Sequence, residues 1–119
     1  MCGIIGYIGS KEAAPLLLNG LKRLEYRGYD SAGMAILSDH LHVKKDTGKI
    51  DGIHRKLNFL DMKGTIGIAH TRWATHGGVT KENTHPHLCN NGKIAVVHNG
   101  IIENYQELKS FLKSNGFKF

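Results

Sequence analysis

An α+β domain is what this sequence predicts, on three observations. Short β-branched runs bounded by Gly, Asn and Asp read as strands. Segments 11–25 and 101–115 repeat apolar residues at helical spacing. Residues 34–38 and 41–45 flank a tight turn at Asp39-His40, as paired strands do.

Each element has its own justification. Residues 2–9 set Ile4, Ile5, Tyr7 and Ile8 among Gly3, Gly6 and Gly9, a short buried strand against which another backbone or a ligand passes closely. Ser10 offers a cap, Pro15 suits a first helical turn, and Ala14, Leu17, Leu18, Leu21 and Leu24 form the apolar stripe of a helix over 11–25. The stretch EYRGYDSAG (25–33) breaks the period and reads as a loop. After the 34–38/41–45 pair, a weak helix is expected near 51–59 and a strand over 65–70. Residues 71–93, rich in Thr, His, Gly and Asn, read as a long irregular stretch of the kind that carries function. A strand over 94–98 ends at Asn99-Gly100. Ile101, Tyr105, Leu108 and Leu112 then mark a helix to about Asn115, with Gly116 as its stop, and 117–119 reads as the start of another strand.

Composition narrows the function classes. With 119 residues and 40% hydrophobic content the chain has material for one packed core. Its +6 formal charge is scattered, with Lys22-Arg23 and Lys44-Lys45 as the densest runs and no interleaved aromatics, which argues against nucleic acid. Two cysteines, Cys2 and Cys89, make neither a disulfide framework nor a Cys-x-x-Cys zinc pair. No signal peptide and no membrane-length apolar run is read, so no membrane partner is expected and the cytoplasm is the expected compartment.

The chemistry centres on Cys2. Methionine before a small residue is normally removable, and its loss would make Cys2 the amino-terminal residue. An α-amine ordinarily titrates at about 7.7–8.0 and a thiol at about 8.5, close enough to share a proton near neutrality without a separate histidine. Acyl transfer also needs donors for an oxyanion, and Asn99 (side-chain NH2) with Gly100 (backbone N–H) offers them at a strand end. Arg72, in HTRWATHG (70–77), has the forked donors that clamp a carboxylate. Trp73 is placed to cover such a site, with Gly77-Gly78 as a hinge. The pairs His85/His87 and His70/His76 are the best metal candidates among eight histidines, but no recognisable ligand set accompanies them, so no metal and no cofactor is expected.

These motifs together resemble the class II (Ntn-type, N-terminal-nucleophile) glutamine amidotransferases. Cys2-Gly-Ile and Asn99-Gly100 are shared across that class. RLEYRGYDSAG (23–33), GIAHTRWATHG (67–77), HPH (85–87) and VVHNGIIEN (96–104) resemble more closely the glutaminase domain of isomerising glutamine–fructose-6-phosphate aminotransferases (glucosamine-6-phosphate synthases). The resemblance runs from residue 1 to residue 119. It implies a four-layer αββα Ntn-hydrolase sandwich, of which this chain carries the N-terminal part. It implies that Cys2 attacks the side-chain amide of L-glutamine, that Asn99 and Gly100 hold the oxyanion, and that Arg72 binds the substrate α-carboxylate. Trp73, Thr75 and His76 would line the pocket, with Arg27, His85 and His98 as supports behind it. In such enzymes the ammonia passes to a C-terminal sugar-isomerase part, and the full-length protein forms a homodimer. The family pattern continues past the position of Phe119 into a segment whose aspartate binds the glutamine α-amine. The competing expectation is therefore a non-catalytic, incomplete piece of such an enzyme.

Overall fold

The computed structural model describes residues 2–119. The apolar strand runs and the hairpin assemble into a four-stranded antiparallel sheet. Its strands are β1 (Gly3–Ile8), β2 (Ser31–Leu37), β3 (Leu41–Thr47) and β4 (Ile66–Arg72), in the spatial order β1-β4-β2-β3. A second, two-stranded sheet pairs β5 (His87–Leu88) with β6 (Ala95–Val96). The helices are α1 (Ala13–Arg23), α2 (Ile50–Leu57) and α3 (Tyr105–Ser114). Among the described residues no helix is long and apolar enough to cross a membrane.

Strand alternation gives the large sheet two chemically different faces. Ile5, Ala32, Met34, Ile36 and Ala69 point to the helices, where Leu17, Leu18 and Leu21 of α1, Ile50 and Ile53 of α2, and Phe59 close the core. Burial of the larger of these side chains, worth about 1.5–3 kcal/mol apiece, supplies the main driving force for folding. The opposite face carries Ser31, Gly33, Lys45, His70 and Arg72 at one end and Ala35, Leu37, Ile66 and Ile68 at the other. At the apolar end, Lys93, Ile94 and Ala95 cross over the sheet and enclose a cavity of about 270 Å³.

Several boundaries differ from those the sequence suggests, each for a physical reason. β2 begins at Ser31, inside the stretch expected to be a loop, because small residues 31–33 pair with Arg72, Thr71 and His70 of β4. Ser10 does not cap α1. The helix starts after Glu12, where the Ala13 N–H donates to the Gly64 carbonyl (2.8 Å) and the Glu12 carboxylate accepts from the Gly64 N–H (2.9 Å). The 94–98 strand shrinks to two paired residues, the last helix starts at Tyr105 rather than near 101, and 117–119 forms no strand. α3 has no buried residue, and Phe111 keeps 64% of its surface exposed.

The polar end of the second face is covered by residues 84–87. Gly33 makes this possible. A Cβ there would run into the His85 carbonyl oxygen and stand 2.6 Å from Lys45 Cβ and 3.1 Å from Pro86 Cδ. Lys45 reaches across to donate to the carbonyls of Thr84 (2.7 Å) and Pro86 (2.9 Å). The His70 ring stacks on His85 at 4.3 Å between centroids, and His85 contacts His87 at 4.3 Å. All three imidazoles are held neutral. Burial, followed by repulsion from His70, His87, Arg72 and Lys45, pushes His85 down to about 3 from the ordinary 6.5. Burial also lowers His70 and His87, with Arg72 opposing their protonation too.

Two predictions follow from this packing. Gly33→Ala is expected to lift residues 84–87 from the sheet and cost about 1–3 kcal/mol in denaturant titrations, as overpacking does. Because His85 titrates lower in the folded chain than unfolded, the unfolded state binds more protons between pH 6.5 and about 3. Stability is therefore full above 6.5 and falls as the pH drops through that window. Melting temperature is expected to decline from pH of about 7 to about 4, with a shallower decline in His85→Gln. Asp39 and Asp46, both lowered from 3.8, titrate below that range.

Candidate active site

The β1–β4 register builds the site. Gly3 lies opposite Thr71, and its N–H donates to Thr71 Oγ1 (3.1 Å). Cys2 therefore meets the first residue beyond β4. The Trp73 N–H donates to Cys2 Sγ at 3.4 Å, and the thiol faces the Trp73 carbonyl at 3.7 Å. From the far end of the chain Asn99 Nδ2 donates to the Cys2 carbonyl (3.3 Å). The thiol thus sits on a fixed backbone at the wall of a cavity of about 420 Å³.

Arg72, Trp73, Thr75, His76, His85, His98 and Gly100 line that cavity with Cys2. The structure brings together in one place most of the residues singled out from sequence. Arg72 is 8% exposed, and its guanidinium donates to the carbonyls of His76 (2.5 Å) and Gly78 (2.9 Å). Two of its five N–H groups are thereby used to fix it, leaving the others for an anion. The same bonds tie down the Gly77-Gly78 segment, which Asn83 Nδ2 also holds through the Gly78 carbonyl (3.0 Å). Trp73 is 49% exposed and forms a wall, with Gly28 behind it. Gly28 has φ +80°, and a Cβ there would stand 3.6 Å from the indole.

Two residues stand elsewhere than the cavity wall. Arg27 ends the short 3₁₀ turn Glu25–Arg27, one residue before the Gly28–Trp73 contact. Asn99 lies behind the wall, its Nδ2 on Cys2 and its Oδ1 2.7 Å from His70 Nε2. One N–H of its amide is taken by Cys2, and the amide carries a second. Gly100, with φ +144°, lies against the His98 ring, since a Cβ would be 3.1 Å from His98 Nε2. His98 in turn donates its backbone N–H to His85 Nδ1 (3.3 Å).

Sequence reasoning did not find every participant. Asn83, His87, Val96, Ile101, Ile102 and Tyr105 also line the cavity. Asp30 fixes the chain beyond Trp73, its Oδ2 accepting from the Ala74 N–H (2.7 Å). Its place between Tyr29 and Ser31 in a glycine-flanked stretch was the available signal. Of the histidine pairs weighed as metal ligands, His85/His87 stays in contact and His70/His76 separates. His70 stacks on His85 and His85 meets His87 at a tilt of 58°, whereas His76 packs edge-on against Tyr105 at 5.0 Å. Among the described residues, the group of ligating side chains close enough to share a cation is Asp39, His40 and His42 on the exposed hairpin turn.

Electrostatically the cavity has one sign. Arg72 is its cation, the histidines His85 and His87 are neutral through burial, and no carboxylate lines it among the described residues. Such a pocket, with a fixed thiol, an amide donor beside it and a buried guanidinium, suits acyl chemistry on a small molecule bearing a carboxylate.

Comparison with known proteins points the same way. No family model matches the chain. Glutamine–fructose-6-phosphate aminotransferases (isomerising) are similar along the whole of it: 60% identical over 119 residues in Methanococcus maripaludis, 59% over 120 in Pyrococcus horikoshii and 58% over 120 in Clostridium tetani. The chain spans about a fifth (20%) of the length of these curated relatives. Two solved structures superpose over all of it. The first is the glutamine phosphoribosylpyrophosphate amidotransferase from B. subtilis complexed with ADP and GMP (TM-score 0.82, 32% identity), and the second is an allosteric regulatory enzyme of purine biosynthesis (TM-score 0.85, 33% identity). The chain covers 26% of each. With 58–60% identity to these aminotransferases over its whole length, and a backbone shared with a solved glutamine amidotransferase, the chain is similar to about a fifth or a quarter of the length of such enzymes.

Proposed function

We propose that this chain carries the thiol half of a glutaminase: hydrolysis of the side-chain amide of L-glutamine through a thioester on Cys2. The observation that carries this reading is the Cys2 thiol fixed by the Trp73 N–H at the wall of a cavity whose cation is Arg72. Once Met1, which lies outside the described residues, is removed, the Cys2 α-amine takes the thiol proton. Sγ then attacks the amide carbon. The second N–H of Asn99 and the N–H of Gly100 face the charge that develops on the oxygen. The ammonium hands its proton to the leaving nitrogen, ammonia departs, and a glutamyl thioester remains. Water cleaves it to glutamate and regenerates the thiol.

In this reading Arg72 binds the α-carboxylate, Trp73, Thr75 and His76 shape the pocket, and Arg27, His85 and His98 support it. The relatives' printed name supports a destination for the ammonia, the amination of fructose 6-phosphate to glucosamine 6-phosphate. That step would require a sugar-isomerase part, in a cytoplasmic homodimer with neither nucleic acid nor membrane as partner. The family resemblance also assigns the glutamine α-amine to an aspartate, and no carboxylate lines this cavity among the described residues. Weak glutamine binding by this chain alone is the expectation.

Two measurements test the assignment. Exposure to the glutamine-like electrophile 6-diazo-5-oxo-norleucine is expected to add one adduct at Cys2, read by intact mass and peptide mapping, and Cys2→Ala is expected to abolish it. Labelling elsewhere, or unchanged labelling of the variant, would remove Cys2 from the mechanism. Arg72→Lys keeps the charge but loses the fork that holds both loop carbonyls. It is expected to raise the electrophile concentration for half-maximal labelling by about 10–100-fold, the order that a lost bidentate contact of about 1.4–2.8 kcal/mol gives.

A further inference from the structure

Beyond the residues placed in the mechanism lies a buried histidine on β4. We infer that His70 is a positioning residue for the amide hydrolysis proposed above, acting through an Nε2–H that fixes which end of the Asn99 amide faces Cys2. The inference rests on that functional reading for its kinetic consequence and on geometry alone for the orientation.

The chain of hydrogen bonds settles the polarity. The Cys2 carbonyl can only accept, so the end of Asn99 that approaches it at 3.3 Å must be the NH2. The other end, Oδ1, then faces His70 Nε2 at 2.7 Å, and an oxygen there can only accept. Nε2 must therefore carry the proton. His70 is fully buried, which disfavours the charged ring, so the neutral ring holds its one proton on Nε2 and leaves Nδ1 bare. Nδ1 is indeed the one buried side-chain nitrogen or oxygen among the described residues with no hydrogen-bond partner. An unpartnered buried atom normally counts against a structure. With the ring's proton on Nε2, the unpartnered atom is a lone-pair nitrogen rather than an orphaned N–H.

The opposite tautomer would set a lone pair of Nε2 against Oδ1 at 2.7 Å. Relief would come from turning the Asn99 amide, which would bring Oδ1 against the Cys2 carbonyl oxygen and swing the NH2 away from the thiol. One face of the ring is packed on the His85 ring, with centroids 4.3 Å apart. One proton on a residue that does not itself line the cavity thus decides whether a donor or an acceptor is presented to Cys2.

The test uses this chain and three readouts. The ¹⁵N shifts of the His70 ring report the tautomer directly, and a protonated Nε2 with bare Nδ1 is expected; the reverse overturns the inference whether or not the chain is a glutaminase. Labelling of Cys2 by 6-diazo-5-oxo-norleucine gives the second readout. His70→Leu is expected to lower the maximal labelling rate roughly 10–100-fold, as loss of an orienting outer-shell partner does, while the half-saturating concentration and the rate with iodoacetamide stay unchanged. His70→Gln, whose side-chain NH2 donates at similar reach, is expected to recover most of that rate. Melting temperature is the third. A well-folded His70→Leu that labels at the parent rate, or a Gln variant as slow as Leu with equal melting temperature, overturns the positioning role. If the parent chain reacts with iodoacetamide and never with 6-diazo-5-oxo-norleucine, the glutaminase reading fails, and the ¹⁵N tautomer still decides the orientation of Asn99.

Discussion

The register between β1 and β4 is the constraint on which the rest of this molecule depends. Pairing Gly3 with Thr71 brings Cys2 to the backbone of Trp73, and pairing His70 and Arg72 with Gly33 and Ser31 turns both side chains to the polar face. Side chains on a strand alternate with a period of two, so a slip of one residue would bury a guanidinium and an imidazole among Leu17, Leu21 and Met34. Burying an unpaired charge in such surroundings costs several kcal/mol, comparable with the whole stability of a small domain. The penalty for misregister is thus large enough to hold the thiol where it stands. β4 can impose this because it is bonded on both edges, by β1 and by β2.

The polar face solves a second problem, that of packing histidines close to two cations. Lys45 and Arg72 both oppose protonation of His85 and His87. Charged rings 4.3 Å apart would repel by roughly 4 kcal/mol at an effective dielectric constant near 20. Neutral rings at that spacing attract weakly through stacking. Burial and the neighbouring cations act in the same direction, so the stack is a set of uncharged, directional hydrogen-bonding groups at neutral pH. That leaves Arg72 as the charge that an incoming carboxylate meets.

How much of this could be read from the chain depended on whether the signal was local. The strands β1 and β4, the hairpin β2–β3 and helices α1 and α2 announce themselves through apolar periodicity and turn residues, and the structure has them within a few residues. Ser31–Gly33 escaped because small polar residues look like a loop. Ser31 is nevertheless fully buried, its strand state imposed by β4. The 117–119 strand failed for the converse reason, since a β-prone run gains nothing without a neighbouring edge. At the site, the distinctive chemistry of Cys2, Arg72, Asn99 and Gly100 singled them out, and the structure sets three of them on one cavity with Asn99 behind its wall. Asn99 nonetheless turned out to spend one N–H on Cys2 rather than to stand free. His70 drew notice only as half of a metal pair with His76, and nothing local pointed to Asn99 as its partner. Its importance lies in a bond to a residue 29 positions away.

Chain ends normally fray, and a thiol at residue 2 would share that fate unless something opposed it. Fixing one residue's backbone costs about 1–2 kcal/mol. Three hydrogen bonds converge on Cys2 and Gly3: Thr71 Oγ1 on the Gly3 N–H, Trp73 N–H on Sγ, and Asn99 Nδ2 on the Cys2 carbonyl. At about 1 kcal/mol net apiece they are of the same order as the cost of ordering those two residues. The partners come from two segments far apart in sequence, the end of β4 and the turn after β6, so the thiol is ordered only once both have docked. A thiol that acquires its fixed position and its amide donor in the same event is assembled by the tertiary fold rather than by the local sequence around it. The Asn99 bond is the hinge of that assembly, because the one amide both anchors the Cys2 carbonyl and, through the proton on His70, aims its remaining N–H.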